Sequence, residues 1–173
     1  MNSLKGFASV IVVFGLTVCI PHANAQIKLQ QNQIPTESQI NPAQATGNNQ
    51  DTRAKLKQGF NLFFKDKNYQ AALQIFNEII KVEPNNQYAY LGRGASYYEL
   101  RNYQAAKADL DQTIQMDDTI HFAYLYRGFS HYALGSKNSA IVDLKIAANL
   151  FEKDNMKDMA QATLNIINKI SNA

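Results

Sequence analysis

From about Arg53 onward the chain repeats itself at an interval of 34 residues, and a period of that length restricts the available folds more than any other property of the sequence. Ala89, Tyr90, Leu91, Arg93, Gly94, Ser96, Tyr98, Leu100, Ala106, Asp109 and Leu110 recur as Ala123, Tyr124, Leu125, Arg127, Gly128, Ser130, Tyr132, Leu134, Ala140, Asp143 and Leu144. The preceding stretch, from Arg53 to Asn86, follows the same plan with Leu56, Phe63, Tyr69, Ala72, Phe76 and Pro84. The units therefore run over about 53–86, 87–120 and 121–154.

Each unit has room for two helices of about 13 residues with their turns. Small residues on facing helices, Gly94 and Gly128 on the first and Ala72, Ala106 and Ala140 on the second, let two backbones approach closely. Larger apolar residues at helical spacing fill the gap. Asn68, Asn102 and Ser136 precede each second helix and can cap its free amides, each worth about 1 kcal/mol. Pro84 stops the first hairpin, and Gly135 suits a left-handed turn after the fifth helix. Past Glu152 an amphipathic stretch from Asn155 to Ile170 carries Met156, Met159, Ala162, Leu164, Ile167 and Ile170. It reads as a cap helix, reaching to about 171, that covers the apolar face of the last hairpin.

The period, with its places for a small residue, an aromatic, an alanine, a bulky residue and a proline, resembles the tetratricopeptide repeat. The resemblance covers roughly two thirds of the chain, with departures at Phe60, Asp118 and Glu152. It implies an all-α fold, a right-handed solenoid of three helical hairpins plus the capping helix, over residues 52–173. It also implies a groove lined by the first helix of every unit. Carried over place by place, the contact positions are Lys57, Asn61, Phe64 and Lys65; then Tyr88, Leu91, Tyr98 and Glu99; then Phe122, Leu125, Phe129 and Tyr132. Rings dominate, and aromatic side chains bury much area at small entropic cost. The other reading of these side chains is that several pack on neighbouring helices and form core. Chaperone-binding members of the family hold a terminal carboxylate with five donors. Lys57 and Asn61 fit the first two places, whereas Gly92, Phe122 and Tyr126 stand at the other three. A carboxylate clamp is therefore not expected.

Ahead of the repeats the composition changes twice. A short start with Lys5, an apolar run from Gly6 to Ile20 and the small-x-small sequence Ala23-Asn24-Ala25 form a signal peptide over residues 1–25, cut before Gln26. An uncleaved anchor needs a longer apolar run than one ending at Pro21. A lipobox at Leu16-Thr17-Val18-Cys19 is the third reading, with Val18 where such signals carry a small residue. Residues 26–51, rich in Gln, Asn, Thr and Pro, read as a disordered tether. The alternative is that Ile27, Leu29, Ile34 and Ile40 dock on the folded part. Cleavage makes the product exported, periplasmic or secreted, and removes Cys19, the one cysteine. Neither a disulfide framework nor a thiolate metal site is then available.

A formal charge of +3 with scattered Lys and Arg lacks the footprint of a nucleic-acid binder. Arg93 and Arg127 are each followed sixteen residues later by Asp109 and Asp143, while the first unit has Gly59 and Ile75 at those places. Loss of both charges together predicts an Arg–Asp bridge inside each of the two hairpins, with ligand binding by the arginines as the alternative. His121 and His131 have no ligand-spaced partners, so no metal or other cofactor is expected, and no nucleophile or phosphate-loop motif marks an enzyme. The sequence thus points to a protein-binding adaptor that grips a polypeptide segment. Its rival is a homo-oligomeric scaffold using the same apolar face or the cap helix.

Overall fold

A computed structural model of the chain describes residues 10–13, 16–19 and 49–172. The chain divides into two units, 1–41 and 42–173. In the first, β1 (Val10–Val13) and β2 (Leu16–Cys19) pair antiparallel, Val10 opposite Cys19 and Val13 opposite Leu16. These lie within the apolar run assigned to the leader, whose β-branched Val10, Ile11, Val12, Val13, Thr17 and Val18 favour extended backbone. The cleavage position and residues 26–48 of the tether lie outside the described residues.

The second unit is all-α, a solenoid of helical repeats. Its helices are α1 (Asn49–Phe64), α2 (Tyr69–Val82), α3 (Gln87–Glu99), α4 (Tyr103–Met116), α5 (His121–Ala133), α6 (Lys137–Lys153) and α7 (Lys157–Asn172). Helix α1 starts at Asn49, before the expected boundary near residue 52, because Thr52 is buried and its hydroxyl donates to Glu83 Oε1 at the end of α2. Each helix packs on the next, and the leading helices α1, α3 and α5 also touch one another.

Local chemistry explains the helix boundaries. Asn68, Asn86 and Asn102 accept from the amides of Ala71, Ala89 and Ala105 at 3.1, 3.0 and 3.3 Å. Ser136 occupies the same place before α6 but makes no side-chain cap bond, so the third repeat of that expectation fails. Gly135 takes the left-handed conformation, φ +80, as expected. Lys67 and Arg101, two repeats and one repeat earlier, adopt it too, at φ 52 and 64, without glycine's freedom.

Three apolar clusters run through the stack. One centres on Phe76 and Ile79, one on Leu110 and one on Leu144 and Phe151. Phe76 is fully buried, and a Cβ on Gly92 would stand 2.3 Å from its Cζ, while one on Gly59 would stand 2.8 Å from its Cε1. Phe60 fills the place expected for a small residue because Gly59 beside it admits the ring. Gly92→Ala gains about 1 kcal/mol in helix propensity but overpacks a ring with nowhere to retreat. Its expected net loss is about 1–2 kcal/mol, measured by urea unfolding.

Helix α7 buries Ala160, Thr163, Ile167 and Ile170 against the last hairpin and faces Leu164 outward, as a cap should.

Candidate functional site

Two side-chain systems repeat with the hairpins. The first is an arginine ladder. Arg93 donates from Nε to Asp109 Oδ2 at 2.7 Å and from Nη2 to Oδ1 at 2.8 Å. Arg127 does the same to Asp143 at 2.8 and 2.7 Å. Both arginines are thereby engaged by the carboxylates expected from the sequence. Each also reaches sixteen residues back, Arg93 Nη1 to Asn77 Oδ1 at 2.7 Å and Arg127 Nη1 to Asp111 Oδ1 at 2.8 Å. One guanidinium thus joins its own hairpin to the one before it, lying over the ring of Tyr90 or Tyr124 as well. Hydrogen bonding to Asp109 and Asp143 raises both arginine pKa values further, against the opposing effect of burial. Burial opposes ionisation of Asp111, but hydrogen bonds from Lys107 and Arg127 outweigh it and hold the carboxyl below its usual range.

A shallow depression beside this ladder is lined by Lys107, Asp111, Arg127, His131, Asn138 and Asp143. Its charges are already matched within the ladder, and His131 Nε2 lies 3.9 Å from Asp143 Oδ2.

The second system is aromatic and centres on the leading helices, joined by Tyr69 of α2 and Tyr103 of α4. Position 12 of each unit is a ring: Phe64, Tyr98 and Tyr132. Tyr98 meets Tyr126 at 5.7 Å, Phe129 at 5.9 Å and Tyr103 at 5.6 Å between centroids. Phe63 meets Phe64 at 4.7 Å, Tyr69 at 5.2 Å and, from the first unit to the third, Tyr126 at 6.2 Å. These contacts form a continuous belt of rings from α1 to α5, edge-to-face around Phe63 and between Tyr98 and Tyr126, and tilted where Tyr98 meets Tyr103 and Phe129. Phe64 is the most open member, 40% exposed. Desolvation raises the hydroxyl pKa of Tyr98 and Tyr126, with Glu99 adding to both shifts.

The residues expected to line a groove do not all meet there. Phe64, Tyr98 and Phe129 belong to the belt. Lys57, Lys65 and Glu99 are exposed and Asn61 half-buried. Leu91 and Leu125, only 8% and 7% exposed, are core, because their face of the leading helix meets the second helix behind it. Tyr88 is half-buried on the Phe76 cluster and Tyr132 on the Leu144 cluster. Phe122 packs on Phe151 at 5.3 Å and on His121 at 4.5 Å, so it props the last hairpin rather than joining the belt. Tyr126, Phe63, Tyr69 and Tyr103 are belt members that the positional carry-over missed. Only the excess of rings in the sequence hinted at them.

His121 stacks on Phe151 at 4.5 Å, its Nε2 3.4 Å from Asp154 Oδ2, with Nδ1 buried and no hydrogen-bond partner for it among the described residues. Burial lowers its pKa from 6.5, and Asp154 offsets this only in part. The unfolded chain therefore takes up this proton first as pH falls. Stability contributed by neutral His121 is complete above about pH 6.5 and declines below it until the folded form also protonates. The thermal midpoint of wild type should fall between about pH 7 and pH 5.5 more than that of His121→Phe, followed by circular dichroism.

Residues 63–127 match the family model described as Tetratricopeptide repeat. No curated protein matches the chain in sequence. Among solved structures, it is similar to the first TPR of Spaghetti (RPAP3) bound to the HSP90 peptide SRMEEVD. That likeness has a TM-score of 0.62 at 22% identity, over 72% of this chain and 94% of the other. The TPR2B domain of yeast Sti1 in its Hsp70 complex gives 0.61 at 23%, over 70% and 94%. The type III secretion translocator chaperone SycD of Yersinia enterocolitica gives 0.66 at 17%, over 72% and 94%. At these identities the likeness is one of fold.

Proposed function

We propose that the chain, residues 63–127 of which match the tetratricopeptide-repeat model, is a protein-interaction adaptor that binds a segment of another polypeptide along the ring-lined face of α1, α3 and α5. The observation that carries this reading is the aromatic belt, continuous over three hairpins and open to solvent at Phe64. Phe64 gives the half-buried belt its opening to solvent, and rings are the side chains that anchor contacts between proteins most strongly. RPAP3 and Sti1 carry chaperone peptides on the same kind of scaffold, which supports a peptide as the ligand class. The function is binding without catalysis, with Asp109 and Asp143, the buried carboxylates, engaged by the ladder.

The leader-like sequence of residues 1–25 supports export, so the adaptor works in the cell envelope or outside the cell as a product that begins at Gln26. Among the described residues no helix is long and apolar enough to cross a membrane.

A photoreactive phenylalanine at position 64, compared with one at position 142 on the far side of the third hairpin, tests the binding face in the native cell. Adducts with a different polypeptide from position 64 alone are expected. Adducts only with a second copy would favour the homo-oligomeric scaffold. Absence of any adduct from position 64, or equal labelling from both positions, overturns the reading.

A further inference from the structure

The two ends of the hairpins carry opposite charge. Turns inside the hairpins, at 65–68, 100–102 and 134–136, hold Lys65, Lys67 and Arg101 against a single acid, Asp66. Turns that follow the second helices, at 83–86, 117–120 and 154–156, hold Glu83, Asp117, Asp118 and Asp154 and no lysine or arginine. Contacts gather each set at one end of the stack. Phe63 meets Tyr69 at 5.2 Å and Tyr98 meets Tyr103 at 5.6 Å, while Phe63 and Tyr98 close on one ring, Tyr126, at 6.2 and 5.7 Å. At the other end Thr52 donates to Glu83, Gln87 Nε2 donates to Asp117 Oδ2 at 3.0 Å, and His121 Nε2 lies 3.4 Å from Asp154 Oδ2. Glu99, Lys81 and Lys153 flank the turns and soften the contrast without reversing it.

Both charged series keep the period of the repeat. Lys67 and Arg101 are 34 residues apart, and so are Glu83 and Asp117. The two cations are exposed and leave their turns from the same left-handed backbone. The two acids follow directly on α2 and α4, and their hydrogen bonds come from neutral donors, Thr52 and Asn86 on Glu83, Gln87 and Thr119 on Asp117. Among the described residues no ion pair engages Lys65, Lys67, Glu83, Asp117 or Asp118. An exposed apolar side chain precedes a charge at each end, Leu100 before Arg101 and Val82 before Glu83.

We infer that the acidic end of this chain is the docking surface for the basic end of a second copy of the same chain. Stacks laid edge to edge with parallel axes bring Lys67 and Arg101 of one copy opposite Glu83 and Asp117 of the next, because both rows advance by one hairpin. A foreign partner would have to reproduce that spacing, whereas a second copy carries it already. Like ends repel, which disfavours a two-fold pairing of end against same end. The contact is therefore heterologous and leaves one end of every copy free, so that chains add in an open row. This surface is neither the ring-lined face nor the cap helix, and the inference stands apart from the adaptor reading. Exposed pairs each contribute little and are screened by salt, so the association is weak and belongs to concentrated protein at low ionic strength.

Sedimentation equilibrium of the full chain tests this. At about 20 mM salt the mean mass should rise with protein concentration to roughly twice the single-chain value or more, and at about 0.5 M salt it should return to that value. Lys67→Glu with Arg101→Glu makes both ends acidic, and Glu83→Lys with Asp117→Lys and Asp118→Lys makes both ends basic. Each variant alone should stay at single-chain mass, and a mixture of the two should associate again. A mass independent of concentration overturns the inference and leaves the charged ends to partners of other kinds. Association that resists salt or survives in either variant alone also overturns it, and moves the contact to the apolar face or the cap helix. A mixture of folded variants that stays at single-chain mass does the same. Circular dichroism establishes that the variants are folded, and should the triple variant unfold, the salt dependence and the Lys67→Glu, Arg101→Glu variant still decide the matter. No partner is present in these measurements, so their failure leaves the adaptor reading standing.

Discussion

Replacing Arg127 with methionine will destabilise the helical unit by about 3–5 kcal/mol, the range for stripping the partner from a buried charge. Its side chain donates to two carboxylates from two hairpins, and Asp143, its main partner, keeps only 5% of its side-chain surface in solvent. Without the guanidinium, Asp143 remains buried and charged, with only His131 at 3.9 Å nearby. Exposed pairs behave differently and are worth about 1 kcal/mol or less, so a loss of that size on urea unfolding would contradict the ladder. The double variant Arg127→Met with Asp143→Leu should recover much of the loss, because an apolar pair of similar volume no longer buries a charge. The cycle then gives a coupling energy that a surface ion pair would not.

Phe76→Ala carries the second large effect, a loss of about 3–5 kcal/mol. The ring is fully buried, lies edge-on to Phe60 at 5.1 Å and rests against Gly59 on α1 and Gly92 on α3. It is the filler between the first hairpin and the second, so its removal leaves a cavity at that junction. Amide hydrogen exchange should accelerate in α1 and α2 more than in α5 and α6. Uniform acceleration over all seven helices would show that the stack opens only as a whole. Gly92→Ala should also become nearly neutral when combined with Phe76→Ala, since the atom it meets is then gone.

The hairpins were legible because a period copied three times averages out local ambiguity: the same apolar register at Ala72, Ala106 and Ala140 leaves no other packing for them. Asparagine caps and the left-handed Gly135 were legible for a simpler reason, since each residue type has a local preference. Lys67 and Arg101 adopt the same backbone without any such preference, and only their distance from Gly135 marks them. Forward contacts of the arginines were readable because both charges vanish together in the first unit. The backward contacts to Asn77 and Asp111 were not, because they depend on how closely neighbouring hairpins approach. Leu91 and Leu125 show the limit for the site itself. A leading helix faces both the wall and the helix behind it, and adjacent residues near the edge of that stripe divide between core and surface. The meeting of Phe63 with Tyr126 joins the first hairpin to the third, and no spacing within a single unit reveals it.

The backward reach of the ladder also fixes how many rungs it can hold. Asn77 and Asp111 receive the arginines of the second and third hairpins, and the residue one period further on is Lys145. Opposite it in register, where a third arginine would fall, α7 has Gln161. Tandem duplication of residues 121–154 would bring an inserted arginine up against that lysine, cation against cation, at the new junction. A gene lengthened in this way would yield a poorly joined array until position 145 also changed, so the sign of one side chain acts as a stop on growth of the series.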